Sequence, residues 1–150
     1  MVTELSYQII NAAINVHKEL GPGLLESVYE KCLKHELLER GFKIDSQIKV
    51  PINYGKISIE ADLRCDLIVN DIVVVEIKAV EVLNPVYYAQ VLSYMKLLQL
   101  PQGLLINFFI KNIVKSSKPF VNELFKFDFY SSNKIPKQNK EREVQLQLGL

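Results

Sequence analysis

Cysteine is scarce in this chain: only Cys32 and Cys65 occur among 150 residues. Two thiols cannot build a disulfide framework or a four-cysteine zinc or iron-sulfur site, so reduced thiols are expected. Charge of one sign is lacking too. Eighteen basic residues face seventeen acidic ones, for a net charge of +1. No bulk field therefore marks the surface for nucleic acid or membrane, and any such binding needs a local patch. No apolar run approaches the roughly 18 residues that suggest a spanning helix. The start, Met1-Val2-Thr3-Glu4, lacks the basic and then apolar regions of a secretory leader. A cytoplasmic protein without a membrane partner is the expectation. There is no G-x-x-x-x-G-K-[ST] loop, which argues against ATP-driven action within the chain, and no repeat at a solenoid period.

What is present is an ordinary globular composition, 49% hydrophobic and 23% charged with mean hydropathy +0.09. That excludes a disordered or fibrous chain as a whole. The length fits one domain, expected over residues 1–130. A polar, loose tail is expected over 131–150, where Lys134, Lys137, Lys140 and Arg142 are scattered.

Leu5, Ile9, Ala13, Val16 and Leu20 recur at helical spacing before Gly21-Pro22, predicting a helix from Thr3 to Leu20. A second apolar stripe, Leu25, Val28, Tyr29, Cys32, Leu33 and Leu37, predicts a helix continuing to Arg40, with Gly41 as its stop. The pattern then becomes β-branched and alternating. It predicts a strand over Gln47 to Asn53, a turn at Tyr54-Gly55, and further strand character at Ile57, Ile59, Ala61 and Leu63. Leu67 to Val69 and Ile72 to Ile77 read as a hairpin whose second arm is apolar on both sides, as a central strand is. Asn84-Pro85 pairs an N-cap with the proline favoured at the first helical position, opening a helix to about Leu100. Gly103 to Phe109 reads as another buried strand. Ile113-Val114 and Phe125 to Tyr130 are candidate edge strands. The fold class is α/β, in the order helix, helix, three strands, helix, strand.

The central strand Val73-Val74-Val75-Glu76-Ile77-Lys78-Ala79 carries charges where none is expected. Alternation puts Val73, Val75 and Ile77 on one face and Glu76 with Lys78 on the other. Burying either charge alone costs several kcal/mol; a solvated pair at a strand end would carry no chemistry. Asp66 sits on the preceding arm. A three-residue loop over Asn70 to Ile72 sets Val69 opposite Val73 and Asp66 opposite Glu76, whereas a two-residue loop pairs Asp66 with Val75. In the first register two carboxylates converge and repel unless a proton or a cation lies between them. Oxygen ligands without histidine or cysteine suit Mg²⁺ or Mn²⁺. Lys78 adds the positive charge that holds a water or a scissile phosphate, which outlines phosphodiester cleavage.

Asp66 followed after nine residues by Glu76-Ile77-Lys78 resembles the PD-(D/E)XK nuclease superfamily, whose core is a helix, three strands, a helix and a strand. Cys65 stands where the superfamily name has proline. Gly23-Leu24-Leu25-Glu26-Ser27-Val28-Tyr29 resembles the G-x-x-E-x-x-Y signature of the GxxExxY family within that superfamily, and the likeness runs from about Val16 to Phe109. It implies a restriction-endonuclease-like core, a mixed sheet flanked by helices. It further implies that Glu26 approaches the sheet and joins Asp66, Glu76 and the Ile77 carbonyl around one or two Mg²⁺ or Mn²⁺ ions. Locally, Glu26 could equally serve the dipole of its helix, and Tyr29 could hold its carboxylate or only pack.

Gln90 and Tyr94 lie four apart on the third helix, with Tyr87 a turn earlier. This Q-x-x-x-Y resembles the motif of RecB-like nucleases and lambda exonuclease, in which that helix borders the active site and contacts the DNA strand. The implied activity is a metal-dependent nuclease with nucleic acid as partner, DNA rather than RNA. A non-catalytic nucleic-acid-binding or regulatory module on the same fold is the alternative. The sequence leaves open a homo-oligomer or a partner protein. Cys32, His35, His17 and Cys65 exhaust the soft zinc ligands, but Cys32 and His35 fall on opposite helix faces, which disfavours zinc.

Overall fold

The computed structural model describes residues 3–122. Phe125 to Tyr130 and the polar tail, for which strand and loose structure were expected, lie outside the described residues. Helix α1 (Glu4–Leu20) starts at Thr3, whose hydroxyl accepts the Ser6 amide hydrogen, and ends where Gly21 turns with φ 66°. Helix α2 (Glu26–Glu39) follows after the short connection from Gly21 to Leu25. Strand β1 (Ile44–Lys49) is then followed by an outlying hairpin, β2 (Ile52–Tyr54) and β3 (Ile57–Ile59), turning at Gly55. Strands β4 (Arg64–Val69) and β5 (Val73–Lys78) form the tight hairpin read from the sequence. Helix α3 (Pro85–Leu97) opens on the Asn84 side chain, which accepts the Val86 amide. Strand β6 (Gln102–Asn107), helix α4 (Ile113–Ser116) and strand β7 (Ser117–Val121) complete the described chain.

Three local expectations are corrected. Ala61 and Leu63, expected to carry strand character, lie in the irregular segment between β3, which ends at Ile59, and β4. The strand expected over Gln47 to Asn53 is broken into β1 and β2, because Pro51 between them has no N–H to give a ladder. Ile113-Val114 is a helical turn rather than a strand: the Asn112 side chain caps it by accepting the Lys115 amide, and the edge strand follows at Ser117.

The main sheet runs β1-β4-β5-β6-β7, with β5 and β6 parallel and the other neighbours antiparallel. Thus β5 is central, and helices cover both faces. One cluster joins Leu5, Ile9, Val16, Leu33 and Leu37 of α1 and α2 to Val73, Val75, Leu104 and Ile106. The other joins Val91, Tyr94 and Met95 of α3 to Ile68, Val74 and Leu105. Helix α3 crosses β6 so closely that a Cβ on Gly103 would lie 2.6 Å from both Met95 Sδ and Val91 Cγ1. This approach fixes α3 over β6, the strand beside the one that carries Glu76. Among the described residues no helix is long and apolar enough to cross a membrane.

Candidate active site

The site grows from the β4–β5 turn. Asn70 and Asp71 both have left-handed backbone, with φ of 53° and 55°, as a tight hairpin turn requires. The Ile72 amide closes the turn on the Val69 carbonyl at 3.0 Å. Val69 faces Val73, the register of the three-residue loop, and the pairing runs through Ile68↔Val74 to Leu67↔Val75. There the ladder stops and side chains take over. The Ile77 amide donates to Asp66 Oδ2 at 2.8 Å, and the Asp66 amide donates to Glu76 Oε1 at 3.2 Å. Each carboxylate thus stands in for a backbone acceptor of the facing strand, so the two converge in the gap where the strands part.

The gap shields Glu76 from solvent. Glu76 is only 2% exposed. Burial pushes its carboxyl up to about 8, and the neighbouring Asp66 and Glu26 charges act in the same direction, against the Asp66 amide and Lys78. Burial raises Asp66 as well, while the Ile77 amide, Lys78 and Gln47 oppose it. Asp66 has more donors aimed at it than Glu76 has, so in the metal-free protein the shared proton belongs on Glu76. Lys78 Nζ lies 3.8 Å from Glu76 Oε2 and 4.7 Å from the centre of the Tyr87 ring. That ring gives the ammonium a second favourable contact while leaving its hydrogens free.

Helices reach the gap from both faces. From α2 come Glu26, at its first turn, and Glu30 one turn later on the same side. Glu26 is exposed but close enough to raise Glu76. Glu30 is half-buried and is raised by that burial; the Asp66 charge adds to the effect, and a hydrogen bond from Gln47 counters it. Tyr29 turns away from the carboxylates. It is fully buried, stacked on Phe108 at 4.5 Å, and its hydroxyl donates to the Gly21 carbonyl and accepts the Leu24 amide. Of the two roles open to it, packing and pinning the turn before Glu26 is the one observed.

From α3 comes Tyr94, 3% exposed, whose hydroxyl accepts a hydrogen bond from Gln90 Nε2 at 3.0 Å. Burial raises the Tyr94 hydroxyl, opposed by Gln90; Glu76 and Asp66 also raise it, which places it beside the carboxylate pair. The helix therefore borders the site, with Gln90 at its half-buried edge. His17 is half-buried, its ring tilted against Phe108 and its Nε2 enclosed without a hydrogen-bond partner.

Three residues of the site went unnoticed in the sequence. Asn107, fully buried at the end of β6, accepts from the Val80 and Phe109 amides and donates to the Val80 carbonyl, fastening the segment that follows Lys78. A lone amide in the apolar run Leu104-Leu105-Ile106-Asn107-Phe108 was its available signal. Glu30 was signalled by its four-residue spacing from Glu26. Gln47 carried no signal, since a glutamine in an edge strand looks solvated. Its Nε2 donates to Glu30 Oε2 at 2.9 Å and, at a longer 3.4 Å, to Asp66 Oδ1, and its φ is 52°. For a side chain with a Cβ that backbone costs about 1–2 kcal/mol.

Among the described residues no three His, Cys, Asp or Glu side chains converge at metal-ligand distance. The donor set nevertheless fits a hard divalent cation. Its atoms are all oxygen, the two buried carboxylates when both ionised hold more negative charge than Lys78 offsets, and Mg²⁺ commonly keeps its waters while using one or two protein carboxylates. Neither the curated proteins nor the solved structures yield a match to the chain. A sequence model of the PD-(D/E)XK nuclease superfamily matches residues 3–118, which spans α1 to α4, strands β1 to β6, the start of β7 and every carboxylate described above. With the mixed five-stranded sheet flanked by helices consistent with that match, the chain belongs to the PD-(D/E)XK nuclease superfamily.

Proposed function

We propose that the protein is a divalent-metal-dependent nuclease of the cytoplasm that hydrolyses phosphodiester bonds in DNA in preference to RNA. The observation that carries this reading is the buried, cross-bonded Asp66–Glu76 pair with Lys78 3.8 Å from Glu76. Asp66, Glu76, the Ile77 carbonyl and Glu26 would hold Mg²⁺ or Mn²⁺. Alternation along β5 turns the Ile77 carbonyl, like its amide, toward β4. A bound cation supplies charge to polarise the phosphate and to acidify a water.

The chain's own groups do the rest. Lys78 stabilises negative charge developing on the attacked phosphate, in a place where shielding from solvent strengthens its effect. Tyr94 fixes Gln90, whose amide meets the nucleic-acid backbone at the mouth of the site. DNA is favoured by the resemblance of this Gln–Tyr pair to that of lambda exonuclease. The narrower placement in the GxxExxY family draws support from the backbone itself: Gly23 has φ 103°, Glu26 opens α2, and Tyr29 secures the turn between them.

The test is incubation of purified protein with linear, supercoiled and branched DNA and with RNA, in Mg²⁺, Mn²⁺ or EDTA. Cleavage of DNA with either metal and none in EDTA is expected. Cleavage that persists in EDTA refutes the mechanism. Nucleic-acid binding without cleavage, unchanged by Glu76→Ala, replaces it with a binding module.

A further inference from the structure

Gln47 sits where two irregularities coincide. The β1–β4 register is the same on either side of it, Ser46↔Leu67 before and Ile48↔Cys65 after, yet the Gln47–Asp66 pair between them is missing. At that level β1 changes faces. Ile44 packs with the α1 and α2 cluster, and Ser46 accepts a hydrogen bond from Lys34 of α2, whereas Ile48 and Val50 pack with the α3 cluster. In a regular strand the Gln47 side chain would point opposite to Ser46, away from α2. With φ 52° it reaches α2 instead, and its amide meets Glu30 and Asp66 together.

We propose that Gln47 is a positioning residue of this site: its carboxamide, delivered by left-handed backbone, couples Glu30 of α2 to Asp66 and orients the Asp66 carboxylate for a divalent cation. The proposal rests on the nuclease reading above. Asp66 Oδ2 is held by the Ile77 amide and Oδ1 by Gln47. Each carboxylate oxygen has roughly two acceptor sites, so one site on each stays open to a cation. A primary amide suits the bridge because it offers two N–H groups and no charge. It joins two carboxylates that repel one another without adding positive charge to compete with the metal, as a lysine there would. Glu30 is thereby held on the Asp66 side of the gap, where it adds to the negative potential that attracts the cation.

The experiment is calorimetric titration of Mn²⁺ into the parent, Gln47→Gly, Gln47→Asn and Glu30→Ala proteins, with metal-free melting temperatures measured alongside. Glycine and asparagine both tolerate left-handed backbone, and neither spans from Glu30 to Asp66. A purely conformational role therefore predicts parental Mn²⁺ binding in both. The positioning role predicts that both keep a cooperative metal-free melt while the Kd for Mn²⁺ weakens on the order of tenfold, the lower end for losing an outer-shell partner. Glu30→Ala should weaken it similarly, and Gln47→Gly combined with Glu30→Ala no further, because both act through one bridge. Parental affinity in the glycine and asparagine variants, or loss of folded protein in both, overturns the proposal alone. A parent that takes up no Mn²⁺ even in excess overturns the metal-dependent reading and this proposal with it.

Discussion

Glu76 makes the metal-free protein sensitive to pH in an unusual direction. Its carboxyl is held at about 8 in the folded chain against an ordinary 4.5, so between those values the folded state binds a proton that the unfolded state has released. Stability then falls as pH rises, because the native state is the one that must give up a proton into a buried, already negative site. At roughly 1.4 kcal/mol per tenfold, the whole rise corresponds to about 5 kcal/mol, most of it lost between pH 5 and 8. That is a large part of a typical domain's stability of about 5–15 kcal/mol. At a few degrees per kcal/mol, the metal-free melting temperature should drop on the order of 10 °C across this window. The shift of Asp66, also upward, acts with the same sign.

Thermal denaturation followed by circular dichroism in EDTA, from pH 5 to 8, reads the effect directly. Glu76→Gln keeps an acceptor for the Asp66 amide and removes the charge. It should melt higher than the parent at pH 8, with only the slope that Asp66 leaves. Saturating Mg²⁺ should raise the parent's melting temperature at pH 8, because a ligand binding only the folded state stabilises it, and should leave Glu76→Gln much less affected. A parental melting temperature that is flat from pH 5 to 8 in EDTA, or an unchanged slope in Glu76→Gln, would refute the reasoning.

Lys78→Ala keeps every carboxylate, so Mg²⁺ stabilisation should survive while DNA cleavage drops by roughly a hundredfold or more, the usual scale for one preorganised charge; equal cleavage rates at saturating Mg²⁺ would make Lys78 a structural residue. Tyr29→Phe leaves the Gly21 carbonyl and the Leu24 amide without their partner and should cost about 1–2 kcal/mol in urea denaturation. Gly103→Ala drives a methyl against the Met95 and Val91 side chains, so those side chains or α3 itself must shift. A loss of about 1–3 kcal/mol is expected, and an unchanged urea midpoint would mean that the side chains of Met95 and Val91 yield at no cost.

The sequence alone was enough for the parts of this protein that depend on local chemistry. The helical spacing of Leu5, Ile9, Ala13 and Val16, the Asn84-Pro85 start, the turn at Asn70-Asp71 and the apolar run of β5 each follow from backbone preference and periodicity, and each lies where those rules put it. The facing of Asp66 and Glu76 was one of two registers that the hairpin's sequence allowed, and the pairing of Val69 with Val73 in the folded sheet selected it. Tertiary structure decided what no local rule contains. Glu76 becomes a carboxyl that holds its proton to about 8 only when α3 and the sheet remove its water. Tyr29 belongs to the core rather than to Glu26 because Phe108, distant in sequence, offers a ring to stack on. Gln47 reads as an ordinary edge-strand glutamine until β1 changes faces beside Asp66 and its backbone turns left-handed. Each of these depends on charges and contacts among segments far apart in the chain, and such interactions exist only once the fold has closed.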